Sequence, residues 1–322
     1  MEKHTFGNEY GFQTRAVHTG NDIDAETGAI KRPIIMANSY ALPYDPSDLN
    51  WSSAGKNLYT RNGGSNQQYL QEKLASLEGG EDCVVLASGV AALSDLFFAL
   101  LESGDHVVFS SVTYIAVYRL LNELLKNKFH VDTTIVDTSD LEAVKKAIRP
   151  NTKLVHIETP GNPTLTISDI RAIADIAHEN GALLSVDNTF ASPYNQRPIE
   201  LGADFTVESL TKYINGHGDA MGGAIIGKKK YLDIIRTQSQ VNLGATISPF
   251  NAWLIMRGAV TLPLRMRQHN ANALQVAKYL QTVKGVSFVA YPGLETHKGH
   301  EIAAEQMHGG FGGVLSFGLH AD

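Results

Sequence analysis

Two residues stand where covalent or acid–base chemistry is possible. Lys212 follows the strand-like run Asp204-Phe205-Thr206-Val207-Glu208-Ser209, and Asp187 ends the apolar run Ala182-Leu183-Leu184-Ser185-Val186. A lysine in such a place is ordinarily a surface residue whose stem lies along apolar atoms. Taken out of water, it has a lowered pKa and forms Schiff bases with carbonyl groups. An aspartate at a strand end commonly makes an Asx turn; buried, it needs a cationic partner. A third feature is Ser88-Gly89-Val90-Ala91-Ala92, which follows Cys83-Val84-Val85-Leu86-Ala87 and opens a helical stretch. Alone it reads as an ordinary N-cap. Its free N–H groups and the positive end of the helix dipole also suit a phosphate. Neither GxGxxG nor GxxxxGK[ST] occurs, so nucleotide cradles of those types are not supported. Lysine, carboxylate and phosphate cup together are the set that pyridoxal phosphate requires.

These residues need a frame that brings strand ends together. Residues 1–64 are polar and turn-rich, with Pro33, Pro43 and Pro46, and read as an extended arm. From Ser65 the pattern changes: Ser65-Asn66-Gln67-Gln68 is a candidate capping box, Leu70, Leu74 and Leu77 fall at helical spacing, and Gly79-Gly80 supplies the stop. Short apolar runs at 83–87, 106–110, 131–137, 153–158, 182–187, 204–209 and 222–227 then alternate with helical stretches, one of them capped at Ser168. Several runs lack alternation, as expected of parallel strands covered by helices, so 65–258 is predicted to be an α/β domain. The segment 259–322 holds one helix and the runs 286–291 and 312–319, a partial C-terminal α+β domain. Ligands of an open parallel sheet sit beyond its carboxyl ends. Five such ends carry polar or titratable residues: Ser88–Ala92, Ser111–Tyr114, Thr159–Pro163, Asp187–Thr189 and Leu210–Tyr213.

Composition removes other classes. The 322 residues are 43% apolar and 19% charged, an ordinary globular balance. The net charge of −6 argues against nucleic acid or an anionic membrane as the main partner. No stretch of 18 uncharged apolar residues is present, and Met1-Glu2-Lys3-His4-Thr5 begins no signal peptide. The single cysteine, Cys83, permits no internal disulfide and no cysteine-based zinc site, and a cytoplasmic location is expected. His297-Lys298-Gly299-His300-Glu301 has the order H-x-x-H-E, not that of a metalloprotease, and is read as a surface loop, so no metal is expected.

The run Asp204–Gly218, with Ser209-Leu210-Thr211-Lys212 at its centre, resembles the lysine signature of the Cys/Met-metabolism pyridoxal-phosphate enzymes. Tyr59-Thr60-Arg61, Ala87-Ser88-Gly89, Glu158-Thr159-Pro160-Gly161-Asn162-Pro163, Val186-Asp187-Asn188-Thr189-Phe190 and Tyr291-Pro292-Gly293-Leu294 resemble other motifs of that family. The resemblance runs from about Thr14 to Leu319 and implies pyridoxal-phosphate fold type I. It implies that Lys212 bonds the cofactor, Asp187 holds the pyridine nitrogen protonated with Thr189 close by, and Tyr114 stacks on the ring. It implies that Asn162 meets the ring O3′, and that Ser88, Gly89, Val90, Ser209 and Thr211 bind the phosphate. Tyr59 and Arg61 would reach the neighbouring subunit's phosphate, making a homodimer or homotetramer with shared sites. Leu210 stands where the family usually has a small residue, and Ala116 where methionine γ-lyases usually have cysteine. The family's C-terminal part, with the arginine for the substrate carboxylate, is expected to be missing. The implied activity is a C–S β/γ-elimination on a small sulfur amino acid. A γ-replacement synthase or a cofactor-binding remnant with little activity are the alternatives.

Overall fold

The computed structural model describes residues 9–42, 44, 45, 47 and 58–320; Pro43 and Pro46 of the expected arm lie outside them. Nine strands occur among the described residues: β1 Asp82–Leu86, β2 His106–Ser110, β3 Asp132–Val136, β4 Thr152–Glu158, β5 Leu183–Asp187, β6 Phe205–Glu208, β7 Gly223–Gly227, β8 Val286–Ala290 and β9 Ser316–Leu319. The chain forms two compact units, Met1–Leu100 with Val207–Pro263 and Leu101–Thr206 with Leu264–Asp322.

In the first unit, β1 and β7 pair antiparallel, with Cys83 opposite Ile226 and Leu86 opposite Gly223. The sequence predicts a mostly parallel sheet without saying which pair departs from it. Burial on both faces demands covering helices, not parallel neighbours, so apolar runs alone do not give direction. The helix Ser65–Glu78 buries Leu70, Leu74 and Leu77 completely and ends at Gly79, whose φ of 77° suits glycine. Its N-cap is Gly64, without a side-chain bond, so the expected capping box does not form. Gln67 donates from Nε2 to the Ile247 carbonyl at 2.9 Å. Much of the arm is tied to this same unit. The helix Phe12–His18 is held by Arg15, which donates to the Ser76 carbonyl, and by buried Lys73, which donates to the Ala16 carbonyl. Asn66 clasps the arm from both sides, accepting from Ile35 N at 2.8 Å and donating to Pro33 O at 3.0 Å.

The second unit carries four parallel strands in the order β5-β4-β2-β3. Val108, Val155, Ile157, Leu184 and Val186 of these strands are buried with Ile173, Ala174 and Ala177 of the helix Ile170–Glu179. Asp169, not Ser168, caps that helix, accepting from Ala172 N at 3.0 Å. Ser168 is buried and bonds Thr138 at 2.7 Å. The expected helix, Leu262–Leu280, and two strands of 259–322 are present, the strands as the antiparallel pair β8–β9; a second helix, His300–Gln306, was not expected, and it takes up the end of the run read as a surface loop. From Leu264 onward this segment packs with the parallel strands' own unit. Ile167 and Ala191 pack there against Ala303 and Met307, while Asn195 and Asn270 exchange bonds of 3.1 and 2.8 Å and Asn270 also donates to Gly309 O at 2.8 Å. The architecture is α/β, as the sequence predicts.

Candidate functional site

The first unit assembles the expected phosphate-binding residues. β1 runs into the helix Gly89–Leu100, whose start Ser88 caps by accepting from Ala91 N at 3.1 Å. A side chain on Gly89 would place its Cβ 2.9 Å from Ser209 Cβ and 3.1 Å from Ser209 Oγ. A glycine is therefore required for the helix start to meet the residue after β6. Thr211 is fixed by two bonds to Gly222, accepting from its N at 3.2 Å and donating to its O at 3.3 Å. A helix N-terminus with a bare glycine, flanked by two hydroxyls, has the donors and the space that a phosphate would need. Val90 is the second residue of that helix.

Lys212 lies in the turn after Ser209, where its N–H donates to Ser209 O at 3.1 Å and its carbonyl accepts from Gly216 N at 2.8 Å. It is an exposed residue, the ordinary situation of a strand-end lysine. Leu210 is fully buried, and a Cβ on neighbouring Gly222 would crowd Ile255 Cδ1 at 2.8 Å and Ile247 Cδ1 at 3.0 Å. Tyr59 and Arg61 form an exposed corner in which the guanidinium sits 5.5 Å from the ring centroid and donates to Val241 O at 2.6 Å.

The second unit places Asp187 at the end of β5, with Glu158 opposite it at the end of β4. Asp187 is largely buried, and Oδ1 accepts from Thr189 N at 3.0 Å. Burial raises its pKa, against the pull of the Thr189 hydroxyl and N–H. Among the described residues no cation pairs with it, which is the situation a protonated pyridine nitrogen relieves. Tyr114 follows β2 at the head of a short helix and is 46% exposed, open to stacking. The main chains of Tyr114 and Asn162 are joined by one side chain, Glu158, a residue the sequence reading quoted within a motif but gave no role. Its Oε2 accepts from Tyr114 N at 2.6 Å, and Oε1 accepts from Asn162 N at 2.8 Å. Behind these loops, Gln196 donates to Thr159 O at 2.9 Å and to Asn188 Oδ1 at 3.0 Å, tying together the segments after β4 and β5.

His297 Nε2 and His300 Nδ1 bond the carbonyls of Leu165 and Pro292, at 2.9 and 2.7 Å. Among the described residues no group of histidine, cysteine and acidic side chains is arranged to hold a metal, and no helix is long and apolar enough to cross a membrane.

The cradle that only glycine permits and the buried, cation-seeking carboxylate both suit a phosphorylated pyridine. Each is a feature expected of the pyridoxal-phosphate enzymes of fold type I. The model of the Cys/Met metabolism PLP-dependent enzymes matches residues 13–322, and the chain belongs to this family. It is 53% identical over 322 residues to a canavanine gamma-lyase of Rhizobium leguminosarum bv. trifolii, covering 100% of this chain and 80% of that protein. It is 40% identical over 304 residues to an L-methionine gamma-lyase of Treponema denticola, covering 92% and 75%. The crystal structure of metB from Corynebacterium glutamicum superposes with a TM-score of 0.91 at 41% identity, covering 97% of this chain and 79% of that one. The fold, the cofactor and the class of enzyme, a lyase or synthase acting on small amino acids, are those the sequence motifs led us to expect.

Proposed function

We propose that the protein is a γ-lyase: it expels a leaving group from Cγ of a small amino acid, with the oxygen-linked guanidine of canavanine as its preferred leaving group. The observation that carries this reading is the 53% identity along the whole chain to a canavanine gamma-lyase, against 40% to a methionine gamma-lyase. The sulfur-linked substrates implied by the motifs use the same residues, so the leaving atom is decided outside this set.

Bound pyridoxal phosphate supplies the electron sink for a carbanion at Cα. The chain's own residues do the rest. The N–H groups of Gly89 and Val90, with the hydroxyls of Ser88, Ser209 and Thr211, hold the phosphate. Asp187 balances the positive charge at the ring nitrogen, with Thr189 fixing its carboxylate. Asn162 orients the ring at O3′, and Tyr114 covers its face. Lys212 would hold the cofactor and, as a free amine, would take the proton from Cα; it would serve again as the base at Cβ only after giving that first proton up. Tyr114 donates the proton that the departing group needs. Tyr59 and Arg61, exposed together on one corner, serve the neighbouring subunit of a dimer or tetramer.

The test is a substrate panel with the purified holoenzyme: canavanine, methionine, cystathionine and O-acetylhomoserine, reading release of the leaving group. Canavanine should give a kcat/KM at least tenfold above methionine. Faster release of methanethiol or cysteine returns the reading to sulfur. Turnover only with an added thiol makes the protein a γ-replacement synthase.

A further inference from the structure

The three loops of the second unit that carry candidate site residues leave the sheet from neighbouring strands β2, β4 and β5. Glu158 is at the end of the middle one. From there Oε2 reaches sideways to Tyr114 N at 2.6 Å and Thr113 Oγ1 at 3.3 Å in the loop after β2. Oε1 reaches forward to Asn162 N at 2.8 Å in the loop after β4. On its other side lies Asp187, its register partner on β5. The side chain is 6% exposed.

We propose that Glu158 is a positioning residue that locks the main chains of Tyr114 and Asn162 to the end of β4, beside Asp187, and so sets how the cofactor ring is held. The inference rests on the proposed function, which puts Tyr114 and Asn162 on that ring. A buried carboxylate beside a second carboxylate is a costly way to satisfy two N–H groups. Burial and the charge of Asp187 push its pKa up to about 8, against the three donors that pull it down. The side-chain type is nonetheless demanded by geometry. Both oxygens accept from main-chain N–H groups. Glutamine offers one acceptor and one donor, so its amide nitrogen would face an N–H and leave it unpaired. Aspartate keeps both acceptors but is one methylene shorter, so it reaches only one of the two loops. A brace with a purely structural role would lower stability when removed. One that orients the ring must also change the ring's asymmetric surroundings.

The experiment compares wild-type, Glu158→Gln and Glu158→Asp holoenzymes by cofactor content, visible circular dichroism per bound cofactor, thermal midpoint, KM and kcat. Both variants should bind the cofactor, lose at least threefold of the visible dichroism per bound cofactor, and lose at least tenfold in kcat with KM changed less than threefold. Dichroism and kcat within twofold of wild type, with only the thermal midpoint lowered, overturn the proposal and leave Glu158 a structural brace. If the glutamine variant does not fold, the aspartate variant is read by the same criteria. A wild-type chain with no cofactor band overturns the proposed function and this inference with it.

Discussion

Replacing Gly89 with alanine tests the phosphate cradle with a single methyl group. The new Cβ would lie 2.9 Å from Ser209 Cβ and 3.1 Å from Ser209 Oγ. Carbon atoms in contact prefer about 3.5–4.0 Å, so roughly 0.6–1.1 Å has to be recovered by movement. Ser209 Cβ is anchored to its main chain at the end of β6 and has no flexible end to swing away. The helix start must therefore lift, and with it the N–H groups of Gly89 and Val90. Losing one hydrogen bond to a charged phosphate costs about 1.5–3 kcal/mol. That corresponds to roughly 10- to 150-fold weaker binding. The fold itself loses on the order of 1–3 kcal/mol by overpacking. The assay titrates apoenzyme with pyridoxal phosphate and, separately, with pyridoxal, which has no phosphate. Gly89→Ala should weaken the first by at least tenfold and leave the second within a factor of about three. Equal weakening of both ligands, or none of either, refutes a phosphate at this helix start.

Two further variants test the buried carboxylates. Asp187→Asn should retain the cofactor and lose at least about tenfold in kcat, since one unit of pKa matching at the ring nitrogen is worth about 1.4 kcal/mol; a rate near that of wild type contradicts its role. Asp95, fully buried in the helix Gly89–Leu100, has no hydrogen-bond partner for either oxygen among the described residues, and burial raises its pKa to about 7. Because the folded pKa lies above the unfolded one, the folded state holds the extra proton, and stability falls as pH rises from about 4 through 7. Asp95→Asn should therefore raise the unfolding midpoint at pH 8 and leave it unchanged near pH 4; thermal scans at both values decide this.

The candidate site residues were legible because each lies at a strand end: Ser88 and Gly89 after β1, Tyr114 after β2, Asn162 after β4, Asp187 closing β5, and Lys212 after β6. Spacing alone placed them, and motif likeness named their roles. What stayed hidden depends on contacts far apart in the chain. The direction of β1 against β7 is set by how the chain returns after Lys212, which apolar runs do not record. The packing of 264–322 within the second unit rests on apolar contacts such as Ile167 and Ala191 with Ala303 and Met307, and on the amide pair of Asn195 with Asn270, 75 residues apart. Glu158 was hidden differently. A glutamate closing an apolar run is a visible signal, since burying it demands donors, but which loops supply them is known only once β2 and β4 are neighbours. The exposure of Lys212 was also illegible, because a strand-end lysine reads the same whether covered or open.

The central claim, that Lys212 carries the cofactor, has a direct measurement. Holoenzyme is reduced with borohydride, digested and mapped by mass spectrometry. The account predicts one pyridoxyl label, on the peptide that contains Lys212, and loss of both the label and the visible absorption band in Lys212→Ala. A label on another lysine, or an unlabelled Lys212 in protein that holds the cofactor, contradicts it.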